Sequence, residues 1–99
     1  MVELFTFPDD ARWDDTEDAV LFTIQIGEYR GNVVVPRRVL QSFAGRRLKP
    51  EECVEQFHMN HTGFERVAEA KVKALDLDQE ANIRIRASDL SAARDQQWA

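Results

Sequence analysis

The stretch from Pro50 to Leu75 constrains this chain more than any other. Within PEECVEQFHMNHTGFERVAEAKVKAL the apolar side chains Cys53, Phe57, Phe64, Val67, Ala68, Val72 and Leu75 recur at steps of three, four and seven, the spacing that gathers them on one face of an α-helix. Pro50 opens it, and Glu51 and Glu52 put negative charge at the positive end of the helix dipole. Thr62-Gly63 lies inside; glycine there costs about 1 kcal/mol relative to alanine, so the segment reads as one helix or as two with a bend at that point. An amphipathic helix draws its stability from tertiary packing of its apolar face, so the rest of the chain must provide a surface for it.

Residues 19–35 provide one. Val20, Phe22, Ile24 and Ile26 alternate with Leu21, Thr23 and Gln25, the period of a β-strand. Gly27-Glu28 suits a two-residue type II′ turn, because glycine at its first position accepts a positive φ. That turn sets Ile26 against Tyr29, Ile24 against Gly31, Phe22 against Val33 and Val20 against Val35. One face of the hairpin is then apolar, ready for the helix. The other carries Leu21, Thr23, Gln25, Arg30, Asn32 and Val34.

The flanking segments complete a small domain. Residues 3–7 alternate Phe5 and Phe7 with Leu4 and Thr6, and Pro8 ends this short strand. Between Asp9 and Asp18 seven ionisable groups surround Trp13, which reads as a surface loop or helical turn with one apolar anchor. Residues 36–44 form a short helix with Val39, Leu40 and Phe43 inward, closed by Gly45. Arg46, Arg47 and Lys49 make an exposed connection to the long helix. Residues 81–86 alternate Ile83 and Ile85 with Arg84 and Arg86 as a last strand. The fold class is α+β: a mostly antiparallel sheet of strands 3–7, 19–26, 29–35 and 81–86, covered on one face by helices 36–44 and 50–75. Residues 1–87 make one domain, and 88–99 a polar tail with a fraying, Ser88-capped helical turn.

These elements, in this order, resemble a known family. Phe7-Pro8-Asp9, Trp13-Asp14, an alternating strand ending at Gly27, Leu40 and Phe43 on the short helix, and Phe57, Phe64-Glu65 and Ala68 on the long one are similar to the small bacterial family catalogued as domain of unknown function 1488. The resemblance runs from about Phe5 to Ile85. It implies a small single-domain cytoplasmic α+β protein without assigned activity, so it carries no catalytic or ligand-binding residue over to this chain. The tail 87–99 and the basic run before Lys49 extend beyond the family pattern.

Composition narrows the function classes. A net charge of −5 opposes general affinity for nucleic acid or anionic membrane. Cys53 is the lone cysteine, which rules out an intrachain disulfide and fits a reducing compartment. The start MVELFTFPDD has neither the basic residues nor the apolar block of a secretory signal. The expectation is a cytoplasmic protein with no membrane segment.

Four groups of residues invite a chemical reading. His58, His61 and Glu65 stand at steps of three and four, where two imidazoles and a carboxylate could meet a zinc-like ion; a polar helix edge is the simpler reading, because no third nitrogen or sulfur ligand accompanies them. Cys53 lacks a base on its helix face and reads as a buried apolar side chain. The carboxylates of residues 9–18 lack the central glycine of a calcium loop and read as a solvated acidic surface. Most informative is the segregation of charge. Arg37, Arg38, Arg46, Arg47 and Lys49 form a wholly basic segment, against an acidic one holding Asp14 and Asp15. The two segments either neutralise each other within the fold or make an interaction surface for a protein partner or a second copy, as a monomer or weak homodimer. Nucleic-acid binding through residues 37–49 ranks lower, because no aromatic residues for base stacking are interleaved with the arginines.

The sequence therefore points to a non-enzymatic accessory or protein-interaction module that needs no cofactor. The alternatives are a metal-dependent hydrolase using His58, His61 and Glu65, and a regulatory nucleic-acid-binding protein.

Overall fold

The computed structural model describes residues 4–89. The elements run β1 (Arg12–Asp14), β2 (Ala19–Ile26), β3 (Tyr29–Pro36), α1 (Arg37–Ala44), α2 (Pro50–Met59), α3 (His61–Lys73) and β4 (Ile83–Arg84). The four strands form one sheet in the order β1-β2-β3-β4, and the fold class is α+β, as expected. β2 pairs antiparallel with β1 and β3, and β4 joins β3 in parallel after the helical crossover. No helix among the described residues is long and apolar enough to cross a membrane.

The central hairpin has the anticipated register throughout. Ile26 faces Tyr29, Ile24 faces Gly31, Phe22 faces Val33 and Val20 faces Val35. Gly27 turns at φ 58°, while Glu28 keeps a negative φ, which is the type II′ pattern. Val20, Phe22, Ile24, Val33 and Val35 lie buried under the helices, in one core with Val39, Leu40, Phe57, Phe64, Ile83 and Ile85. The Phe22 ring packs 4.7 Å from that of Phe57, and Phe57 stacks 5.6 Å from Phe64. Both helices of the crossover are thereby fixed to the same point on the sheet.

The long amphipathic stretch is two helices, and they part at Asn60 rather than at Gly63. Asn60 leaves helical geometry at φ −127° and ψ 21°, and its side-chain amide donates to the Gln56 carbonyl at 3.0 Å. Its own carbonyl accepts from Phe64 N–H, so a single residue closes α2 and opens α3. Gly63 is buried within α3. At the other end of α3, Leu75 sits outside the helix and is exposed, although its spacing placed it on the apolar face. The Asp76 N–H reaches the Lys71 carbonyl at 2.8 Å and the Leu75 N–H the Val72 carbonyl at 3.0 Å. This is a Schellman closure, and it puts Leu75 at φ 58°, a conformation that glycine usually supplies.

Two further expectations shift. Residues 4–7 make a single bridge, Thr6 to Gln25, in place of a full strand, while Arg12–Asp14 in the acidic segment form β1. Pro8 explains both: it has no N–H to continue a ladder, so the chain bulges away after Phe7 and rejoins the edge of β2 further on. The tail helix lies outside the described residues apart from 87–89, where the turn follows Arg86 and the Asp89 carboxylate, not Ser88, makes the capping bond. The Arg86 N–H donates to Asp89 Oδ2 at 2.8 Å, and the Asp89 N–H to the Arg86 carbonyl at 3.0 Å.

Replacing Leu75 with glycine removes the cost of a left-handed non-glycine residue without loss of core packing. Leu75→Gly should raise the stability by about 0.5–1 kcal/mol in denaturant unfolding, whereas Leu75→Val should lower it.

Candidate functional site

β2 and the chain in front of it organise one corner of the molecule. β1 pairs with the first residues of β2, and Thr6 exchanges both backbone hydrogen bonds with Gln25, at 2.8 and 2.9 Å. Between them, at the bulge, the Asp10 carboxylate takes the place of a backbone acceptor: the Thr23 N–H donates to Oδ1 at 3.0 Å, and the Thr23 hydroxyl donates to Oδ2. Thr23 is buried, so without Asp10 its N–H would be left unsatisfied. Burial pushes the Asp10 carboxyl up, but the bonds from Thr23 and the charges of Arg12 and Arg30 outweigh this and hold it below its ordinary value.

The bulge opens a cavity of about 240 Å³ between Phe7–Ala11 and the elbow where α2 meets α3. Its apolar wall includes Phe7, Phe22 and Phe57. Its polar rim is His58, His61, Glu65 and Asp9, so the three side chains singled out by spacing do share one cavity. His61 Nδ1 lies 3.3 Å from Glu65 Oε2. Because a carboxylate only accepts, Nδ1 is the donor in this contact. The His58 ring meets Phe57 edge-on at 5.5 Å. Among the described residues, no three His, Cys, Asp or Glu side chains converge closely enough to hold a metal ion.

The two charged segments meet inside the molecule. Asp18 Oδ1 pairs with Arg37 Nη2 at 3.1 Å, and the Arg37 guanidinium lies 5.0 Å from the centre of the Trp13 ring. Asp14 accepts the Glu17 N–H at 3.0 Å, and Asp15 accepts from Trp13 Nε1 at 2.6 Å, so both shape the turn between β1 and β2. Glu17 reaches Arg84 at 2.8 Å. Arg46 pairs with Glu52 at 3.3 Å, and Glu52 also accepts the Lys49 N–H at 2.8 Å. Lysine has no acceptor, so only this half of a capping box is made. Arg38, Arg47 and Lys49 are exposed and hold no ion pair among the described residues.

Cys53 is fully buried, and burial pushes its thiol up against the opposing charge of Arg37, away from the thiolate that a nucleophile requires. Sequence reasoning passed over Lys71, which is 7% exposed yet charged. Its Nζ bonds Asp76 at 2.9 Å and Asp89 at 3.1 Å, and Arg86 joins the same carboxylates. This network fastens the segment after β4 to α3. Its only sequence signal was a lysine in line with the apolar stripe.

Removing the Asp10 side chain tests how the edge is closed. Asp10→Ala should cost about 1–3 kcal/mol at neutral pH through the unsatisfied Thr23 N–H. Because the folded carboxyl titrates below its ordinary 3.8, its contribution is complete above that value and is lost as pH falls through the lowered one. The gap between wild type and variant in thermal unfolding should therefore narrow on acidification, not widen.

Comparison with known proteins agrees with this architecture. A crystal structure of a protein of unknown function from the DUF1488 family of Shewanella loihica PV-4 superposes with a TM-score of 0.80 at 21% identity, covering 86% of this chain and 94% of that one. No curated protein sequence matches this chain. The family model for proteins of unknown function DUF1488 matches residues 5–85, and the chain belongs to that family.

Proposed function

We propose that this protein is a non-catalytic interaction module of the cytoplasm, which binds an acidic segment of a protein partner through the corner formed by α1 and the loop to α2. One observation carries the reading. In a chain of net charge −5, Arg38, Arg47 and Lys49 stand exposed at this corner and form no ion pair among the described residues, the Lys49 ammonium feeling Glu52 only through space. Arg38 lies on the exposed side of α1, and Arg47 and Lys49 follow in the loop after Gly45, so the cations flank the junction of α1 and α2.

The scaffold beneath these cations is fixed. Leu48, between Arg47 and Lys49, is buried in the core, and its N–H donates to Gln41 Oε1 at 3.0 Å. Gly45 closes α1 at φ 75°, and its N–H reaches the Gln41 carbonyl. A preformed corner of this kind loses little loop entropy on binding. A protein partner is favoured over nucleic acid because Phe43, the one aromatic residue of α1, packs half-buried at 5.9 Å from Phe64, and no aromatic residue is interleaved with Arg46, Arg47 and Lys49. The lone buried Cys53 supports a reducing compartment.

The triple variant Arg38→Gln, Arg47→Gln and Lys49→Gln tests the reading, because these side chains have no structural bond to lose. Capture of the native partner should fall about tenfold or more, equivalent to about 1.4 kcal/mol, with the unfolding temperature unchanged. Wild-type capture should weaken as salt is raised. Equal capture by wild type and variant would contradict the reading.

A further inference from the structure

We propose that the cavity at the α2–α3 elbow is a binding site for a small organic cation, an ammonium group carried on a compact apolar body. The inference rests on the cavity alone and stands apart from the basic corner. Two ionisable carboxylates, Asp9 and Glu65, lie on the rim, and no Lys or Arg is among the described residues that line it. Among the described residues, the His61 ring on Glu65 is the one basic contact that either carboxylate makes. The site is therefore a local excess of negative charge.

The wall beneath is aromatic. Phe22 and Phe57, 2% and 4% exposed, pack on each other at its floor, and half-buried Phe7, 6.1 Å from Phe22, is the ring of the three with appreciable exposure. Aromatic faces attract cations through the ring quadrupole, and they receive the apolar part of the ligand. The geometry disfavours the rival ligand, a metal ion: the acidic and imidazole groups do not converge on one point, as coordination at about 2 Å demands. An ammonium on an apolar body needs no such convergence; it needs flanking charge and a ring to lie on. At about 240 Å³, the space is below the 300–1,000 Å³ typical of drug-sized ligands, which restricts the occupant to metabolite size.

Titration of the full chain by NMR with benzylammonium tests the proposal, with benzyl alcohol and benzoate as neutral and anionic probes of the same shape. Benzylammonium should give saturable shifts confined to the amides of residues 7–11 and 57–65. The neutral and anionic probes should bind about tenfold more weakly or not at all. Glu65→Gln should weaken benzylammonium several-fold, and Asp9→Asn with Glu65→Gln further, with the dispersion of the spectrum preserved in both. Equal binding of benzoate, shifts scattered over other surfaces, no saturation, or unchanged affinity in the double variant would each overturn it.

Discussion

The pairing of β2 with β3 is the constraint on which the rest of this structure depends. A two-residue turn at Gly27 fixes a register in which Val20, Phe22, Ile24, Val33 and Val35 all reach the same side. A slip of one residue would send each of them to the opposite face and expose the core. Once that face exists, α2 and α3 have one place to go. Phe57 packs on Phe22 there and Phe64 stacks on Phe57, and the crossover returns the chain as β4, parallel to β3.

The hairpin was legible because period and turn chemistry are local signals. α1 was legible for the same reason, from Val39 and Leu40 inward to Gly45 at its end. What escaped were choices settled between distant segments. The helix break lies at Asn60 because that side chain can satisfy a carbonyl of α2 while its own carbonyl starts α3, a double use that no propensity scale contains. β1 escaped because a run of carboxylates reads as loop, although Arg12–Asp14 needs only the free edge of β2 to become a strand. Asp10 escaped because its task, completing the ladder at Thr23, exists only once the bulge at Pro8 has formed.

The same distinction applies to the candidate sites. Helical spacing holds for His61 and Glu65 on α3, but His58 joins them across the elbow at Asn60, and Phe7 and Asp9, about fifty residues earlier, and Phe22 of β2 come to the same cavity only through the fold. Charge segregation was visible in the sequence, and the structure divides it into two parts. Arg37 and Asp18 spend their charge on each other, beside Trp13; Asp14 and Asp15 shape a turn. Arg38, Arg47 and Lys49 stay exposed on a rigid corner. Exposed pairs contribute at most about 1 kcal/mol to stability, so folding does not dictate where these cations stand; the proposed acidic partner would give them a use.

Hydrogen exchange of the protein, alone and in the complex isolated from its own cells, tests that claim most directly. The account predicts slowed exchange over residues 37–49, with the sheet face bearing Leu21, Val34 and Arg84 unchanged. Slowing confined to that sheet face, with residues 37–49 exchanging as in the free protein, would contradict it.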